Sequence, residues 1–273
     1  MENGTITYTQ LLREDLGIFR VTPDDGVPDF KAGQFLNLGL PLESKIVNRA
    51  YSIASSPENR DYFEFVIRWV RKPLPGRLTS LLFNAKEGDK ISWTKPVGTL
   101  TINDTLPNGE KDTRRIVCIG GGTGLAPFIS FAQHLHDTHD KREIVILHGA
   151  SYVDELSYKQ LLTDLENESI AKGADKWNFK YRAAISRPQE WTNRAWHGYK
   201  GRIEQFLRTS DNGKSPLEDL VGEKITADNT MFYVCGWQGT IDGVMDYLKA
   251  KNFVTEKNKR EDGSYEVKFE SYG

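Results

Sequence analysis

The tightest constraint on this chain is the stretch 116–128, Ile-Val-Cys-Ile-Gly-Gly-Gly-Thr-Gly-Leu-Ala-Pro-Phe. An apolar run (Ile116, Val117, Ile119) stops at Gly120, Gly121, Gly122 and Gly124, and an amphipathic pattern with Pro127 in its first turn follows. That pattern predicts a strand, a tight loop and a helix. Lacking Cβ atoms, the glycines let backbone N–H groups come close to an anion, and the helix start adds unpaired donors and a positive dipole end. Such a loop can cradle a phosphate. Pro127 stands where the common dinucleotide fingerprint has its third glycine, and no Gly-Lys-Ser/Thr follows, so the motif is neither the ordinary Rossmann signature nor a P-loop. Alone, it also fits a Gly-rich turn that only packs a helix closely on a sheet.

The rhythm of the chain changes across this point. Before it, residues 5–12, 17–21, 34–40, 50–54, 62–70 and 90–94 read as short strands between Pro, Gly, Asn and Asp turns. Six strands at this spacing predict a small closed antiparallel barrel of Greek-key type. A helix over 77–84, reached through Pro73-Leu74-Pro75-Gly76, interrupts them as a plug. The polar segment 103–113, with Pro107, Asn108 and Gly109, marks a boundary between domains 1–108 and 109–273. Beyond it, strands at 115–119, 143–147, 179–185 and 231–235 alternate with helices at 125–137, 154–168, 202–208 and 238–251. That alternation predicts an α/β domain with a parallel sheet covered on both faces. A charged stretch, 255–263, precedes a last strand at 265–269.

A length of 273 residues accommodates two such domains, each with its own core. With 36 basic and 38 acidic residues, there is no electrostatic case for nucleic acid or an anionic membrane. Cys118 and Cys235 lie in separate apolar runs without a Cys-x-x-Cys. They cannot ligate an Fe–S cluster by themselves, and they suggest reduced thiols in a cytosolic setting. The N-terminus shows no basic-then-apolar leader, and no apolar run approaches membrane-spanning length, so a soluble, cytoplasmic protein is expected. No histidine or cysteine spacing suggests a metal site: His134 and His136, two apart on a predicted helix, diverge.

Two further constellations carry chemistry. Arg49-Ala50-Tyr51-Ser52 lies on a predicted barrel strand. An arginine offers a phosphate a bidentate cation, a tyrosine offers a planar ring a stacking face, and a serine can hydrogen-bond a ring nitrogen. A flavin nucleotide needs all three. A strand with one snorkelling arginine and one half-buried tyrosine would have the same sequence. Gly76-Arg77-Leu78-Thr79 opens the plug helix, where Thr79 can cap the helix or bind phosphate.

Taken in order, Arg-x-Tyr-Ser on a barrel, Gly-x-x-Thr on a plug helix, Gly-Thr-Gly-x-Ala-Pro opening the second domain and Cys-Gly near the last helix resemble the ferredoxin–NADP⁺ reductase family over essentially the whole chain. The resemblance implies a flavoprotein oxidoreductase that passes hydride between NADP(H) and FAD, and single electrons between FAD and a ferredoxin or flavodoxin. It implies that Tyr51 stacks on the isoalloxazine, Ser52 bonds near its N5 and Arg49 holds the flavin phosphate. Gly76, Leu78 and Thr79 would complete the pyrophosphate site, which favours FAD over FMN, with Arg68 also on the cofactor. Gly122, Thr123, Gly124 and Pro127 would take the pyridine-nucleotide pyrophosphate, with Cys235 and Gly236 beside the nicotinamide. Ser186-Arg187 and Arg202 resemble the family's contacts to the 2′-phosphate of NADP, each able to make charge-assisted bonds.

The ending Phe269-Glu270-Ser271-Tyr272-Gly273 resembles the plastid-type tail in which a glutamate and a tyrosine close over the flavin, although here a glycine follows the tyrosine. The same resemblance makes Ser52, Cys235, Glu270 and Tyr272 the residues nearest the chemistry. Arg68, Arg71, Lys72 and Arg77 are candidates for docking an acidic carrier. A reductase component of an oxygenase system shares this fold and these cofactors. A nucleotide-sensing module without turnover, and a flavin-free dehydrogenase, are the readings from other classes.

Overall fold

A computed structural model describes residues 1–71, 75–211 and 213–272. Lys72, Pro73, Leu74 and Gly273 lie outside the described residues, and with them one docking candidate and the residue that ends the tail. By contacts the chain divides into two compact units, Met1–Ile102 with Ala126–Thr138, and Asn103–Leu125 with His139–Gly273.

The first unit is a six-stranded antiparallel sheet: β1 (Glu2–Arg13), β2 (Leu16–Pro23), β3 (Phe35–Leu42), β4 (Lys45–Ser52), β5 (Phe63–Arg68) and β6 (Lys90–Trp93). The strand order is β4-β3-β6-β1-β2-β5. Just past β4, the Ala54 N–H donates to the Glu64 carbonyl of β5 at 2.8 Å, and this bond joins the two outer strands into a barrel. Inward-facing Ile6, Phe19, Val21, Leu36, Leu38, Phe63, Phe65 and Ile67 fill the interior. Between β5 and β6 runs α1 (Arg77–Leu82), which puts Leu78 and Leu82 into that core as the expected plug. The β3–β4 hairpin turns at Glu43, a non-glycine residue at φ 55°, so β4 begins five residues earlier than the sequence pattern predicts. The early part of β4 is mostly exposed, and its apolar residues, Ile46 and Val47, are adjacent rather than alternating, which hides it from a search for apolar alternation.

The second unit is a six-stranded parallel sheet in the order β10-β9-β8-β7-β11-β12. Its strands are β7 (Arg115–Gly121), β8 (Ile144–Ala150), β9 (Phe179–Ile185), β10 (Tyr199–Lys200), β11 (Thr230–Gly236) and β12 (Val267–Ser271). β7 and β11 are buried along their whole length, as strands covered on both faces must be. A core of Val117, Ile119, Val145, Leu147, Phe232 and Val234 packs against Phe206, Leu217, Ile241, Val244 and Leu248. These come from a 3₁₀ turn (Ile203–Leu207), α4 (Pro216–Val221) and α5 (Gln238–Ala250). α3 (Lys159–Lys172) buries Leu162 and Leu165, and its Ser169 hydroxyl bonds the backbone of Trp177 and Phe179 at the start of β9.

Residues 103–108, which the sequence reading puts with the barrel, belong by contact to the second unit. The Asn103 N–H donates to the Tyr233 hydroxyl at 2.8 Å, and its carbonyl accepts from Arg142 at 2.7 Å. Conversely α2 (Ala126–Asp137), the helix after the glycine loop, groups with the barrel. There Ser130 Oγ donates to the Ser55 carbonyl at 2.8 Å and His134 Nδ1 pairs with Glu58 at 2.8 Å. Among the described residues no helix is long and apolar enough to cross a membrane, and no cluster of His, Cys, Asp or Glu could hold a metal.

Candidate functional site

The strand order of the second unit reverses direction at β7: the chain proceeds outward through β8 to β9 on one side and returns to β11 on the other. Open parallel sheets bind ligands at the carboxyl ends of strands at such a switch point. The glycine loop occupies that place. Gly122–Leu125 forms a 3₁₀ turn between β7 and α2, with Gly122 at φ +58°, a left-handed conformation that glycine adopts without strain. A Cβ on Gly124 would collide with the Cys235 carbonyl at the end of β11, so only glycine lets loop and strand approach this closely. Gly122, Thr123, Gly124, Cys235 and Gly236 are therefore brought together, and Pro127 lies in the first turn of α2, where its missing N–H costs nothing.

β12 runs parallel to β11 with Cys235 opposite Glu270 and Gly236 opposite Ser271. Burial pushes the Glu270 carboxyl above the usual carboxylate range. Burial, with Glu270 beside it, likewise raises the Cys235 thiol, which stays neutral rather than becoming a nucleophile. The tail then brings Tyr272 onto the glycine loop. Its hydroxyl accepts the Gly124 N–H at 2.8 Å and donates to the Gly121 carbonyl at 2.5 Å, and its ring lies 5.5 Å from that of Trp237. An oxygen thus already sits on a loop N–H, and the loop is shown to be able to donate to one.

At the end of β9, Ser186 and Arg187 are exposed, and the Ser186 N–H donates to the Ala150 carbonyl of β8. Arg187 Nη1 donates to the Tyr152 hydroxyl at 2.9 Å. The Gly201 N–H donates to the Ile185 carbonyl at 2.9 Å, so Arg202 leaves the sheet next to Ser186. Arg202 pairs with Glu204 at 2.5 Å and reaches the Gly239 carbonyl in the first turn of α5. Tyr152 and Asn193 were not foreseen. Asn193 is buried and holds the two strand ends together, accepting from the Val153 N–H and donating to the Ser151 and Arg187 carbonyls. A lone aromatic and a lone amide in loops give no periodic signal, and only the parallel register of β8 and β9 makes them neighbours.

In the first unit, Arg49, Tyr51 and Ser52 lie in sequence on β4, paired across β3 with Leu38, Leu36 and Phe35. Tyr51 is half-buried, edge-on to Phe65 at 6.5 Å, and burial raises its hydroxyl pKa against the opposing pull of Arg49. Arg49 is exposed, and its guanidinium makes no hydrogen bond or ion pair among the described residues. Gly76 precedes α1, but Thr79 does not cap it: Thr79 Oγ1 donates to the Gly76 carbonyl at 3.2 Å. Leu78 spends its side chain in the core and has only its backbone left to offer a cofactor. Arg68 is committed to Asp15 at 3.0 Å.

These residues suit nucleotides: an uncommitted guanidinium beside a half-buried phenol in one unit, and a cradle that a Cβ would fill in the other. The folds point the same way. Residues 4–102 match the family described as Oxidoreductase FAD-binding domain, and residues 118–246 match the Oxidoreductase NAD-binding domain. The chain is a flavoprotein oxidoreductase with one domain for each cofactor. It is 31% identical over 238 residues to the ferredoxin–NADP reductase of Azotobacter vinelandii, covering 86% of this chain and 84% of that one. It belongs to the ferredoxin–NADP⁺ reductase family. A ferredoxin NADP⁺ reductase from Neisseria gonorrhoeae, solved with bound FAD and NADP, superposes with a TM-score of 0.76 at 22% identity, over 98% of this chain and 97% of that one. The reductase component of propane 2-monooxygenase from Mycolicibacterium goodii is 28% identical over 244 residues, 87% of this chain but 60% of its own length.

Proposed function

We propose that this protein carries electrons between NADPH and a ferredoxin or flavodoxin by way of bound FAD, in the cytoplasm. The observation that carries the reading is the convergence of the glycine loop with Cys235-Gly236 at the switch point, on a chain whose barrel presents the uncommitted Arg49 beside Tyr51. When bound, a flavin would supply the chemistry that joins two-electron hydride exchange with reduced nicotinamide to one-electron exchange with a carrier. Tyr51 and Ser52 orient the ring, Arg49 neutralises the flavin phosphate, and the N–H groups around Gly76 and Thr79 complete that cradle. Gly122, Thr123 and Gly124 bind the second pyrophosphate. Ser186, Arg187 and Arg202 take the 2′-phosphate, and the neutral Cys235 with Gly236 positions the nicotinamide. Glu270, beside Cys235 and raised toward its protonated form by burial, can hold a proton there. Tyr272 must leave the loop before a pyrophosphate oxygen can use the Gly124 N–H, and stacking on the flavin is one place for its ring to go.

For docking the carrier, Arg71 is engaged with Glu14 and lies over the Trp69 ring, and Arg68 with Asp15, so Arg77 is the exposed guanidinium that remains. The two buried, unpaired cysteines accord with a reducing compartment. The likeness to a monooxygenase reductase supports a second reading, in which the electron acceptor is an oxygenase. Mixing NADPH-reduced protein with oxidised flavodoxin or ferredoxin separates them. Rapid reoxidation by the free carrier is expected; reoxidation only by an oxygenase component would favour the second reading.

A further inference from the structure

Asn193 ends a 3₁₀ turn (Trp191–Asn193) in the loop between β9 and β10, and it is buried at 1% exposure while its neighbours Thr192 and Arg194 are exposed. Its backbone is pinned on both sides: its N–H donates to the Glu190 carbonyl and its carbonyl accepts from the Trp196 N–H, each at 2.9 Å. The side-chain amide reaches the ends of two strands. Oδ1 accepts from the Val153 N–H, past β8, at 2.9 Å, and Nδ2 donates to the Ser151 carbonyl at 2.9 Å and to the Arg187 carbonyl, past β9, at 2.8 Å. An N–H and two carbonyls can be met together by an amide but not by a carboxylate, which has no donor, nor by an ammonium, which has no acceptor. The partners thus account for an asparagine here and fix which end of it is nitrogen.

The residues between these anchors carry the chemistry. Tyr152 lies between Ser151 and Val153, and its hydroxyl accepts from Arg187 Nη1 at 2.9 Å, with the guanidinium carbon 5.5 Å from the centre of the phenol ring. The Asn193 amide, the backbone and side chain of Arg187, and the side chain and backbone of Tyr152 therefore close a ring of covalent and hydrogen bonds. We infer that Asn193 is a positioning residue for Arg187: by fixing the backbones of Arg187 and Tyr152 relative to each other, it keeps the guanidinium on the phenol before the coenzyme arrives and so raises selectivity for the coenzyme that bears a 2′-phosphate. A free arginine side chain gives up rotamer freedom when it clamps an anion, and one already held by a partner has less left to lose. The bond to Tyr152 uses one Nη1 hydrogen and leaves the remaining donors of the fork for phosphate. Buried beneath the loop, Asn193 acts through Arg187. This role depends on Arg187 being a ligand of the 2′-phosphate, as proposed for this site.

Calorimetric titration of the purified, flavin-loaded protein with NADP⁺ and with NAD⁺, the same ligand without the 2′-phosphate, tests this role. Asn193→Ala removes the amide without adding a charge; it should weaken NADP⁺ by about tenfold and leave NAD⁺ within about twofold of the parent. Tyr152→Phe keeps every backbone contact and removes only the hydroxyl, so it tests the same ring even where the alanine variant fails to fold. It should weaken NADP⁺ by about threefold, again without change in NAD⁺. In an Arg187→Ala background, Asn193→Ala should cost NADP⁺ less than about twofold further, because a group that acts through Arg187 then has nothing to position. Equal losses of NADP⁺ and NAD⁺, NADP⁺ affinity unchanged in both Asn193→Ala and Tyr152→Phe, or the full loss persisting in the Arg187→Ala background would each overturn the positioning role. An Arg187→Ala protein that binds NADP⁺ as tightly as the parent would instead remove the reading of the 2′-phosphate site, and the role of Asn193 with it.

Discussion

Arg187 shows how far a single side chain can be followed. Its guanidinium is exposed just past β9 and donates to a phenol, Tyr152, and no carboxylate among the described residues pairs with it. A 2′-phosphate would meet an unspent charge there, and a ribose lacking that phosphate would not. Charge-assisted bonds contribute about 1.5–3 kcal/mol, so Arg187→Ala should weaken NADPH by roughly one to two orders of magnitude. NADH affinity should be nearly unaffected, and titration of both coenzymes checks it. Losses of equal size would remove Arg187 from the 2′-phosphate site. Ser186-Arg187 could be read from sequence because the two are adjacent and their chemistry is explicit. Tyr152 and Asn193 could not, because each acquires its meaning from a partner in a loop distant in sequence.

At the scale of elements, the long periodic segments were legible and the short ones were not. β7, β9, β11 and α5 fall within a residue or two of their sequence expectations, since apolar runs and a clear helical period leave few alternatives. The helix expected over 154–168 is instead a 3₁₀ turn (Val153–Glu155) and then α3, because Tyr158 takes the left-handed φ of 57° between them. The helix expected over 202–208 is a 3₁₀ turn, and the two-residue β10 is too short to show a pattern. α4 did leave a signal: Ser215 and Glu218 form a reciprocal capping box with Pro216 at the first position, and only its brevity hides it. The plug helix α1 carries a prediction of its own. Leu78 is 2% exposed and packs with the barrel core, so Leu78→Ala should cost about 2–5 kcal/mol in stability, read from denaturant unfolding of the first unit's signal. A change below 1 kcal/mol would mean that the helix does not hold the core together.

For the whole molecule, the switch from a β-rich half to an alternating half was visible in the sequence, and so were the barrel and the parallel sheet it implied. The assignment of α2 to the barrel unit was not, since Ser130 and His134 sit on an ordinary amphipathic helix and find Ser55 and Glu58 only in three dimensions. The last strand, expected over 265–269, lies two residues later at Val267–Ser271, and the placement of the Tyr272 hydroxyl on Gly124 and Gly121 depends on the register of β12 beside β11. What unites both halves is the claim that one chain loads a flavin and a pyridine nucleotide and passes hydride between them. Anaerobic stopped-flow mixing of the flavin-loaded protein with NADPH, followed at the visible absorption band of the flavin, tests that claim most directly. Rapid bleaching by NADPH and much slower bleaching by NADH is the expected result; a flavin band that persists through excess NADPH would contradict it.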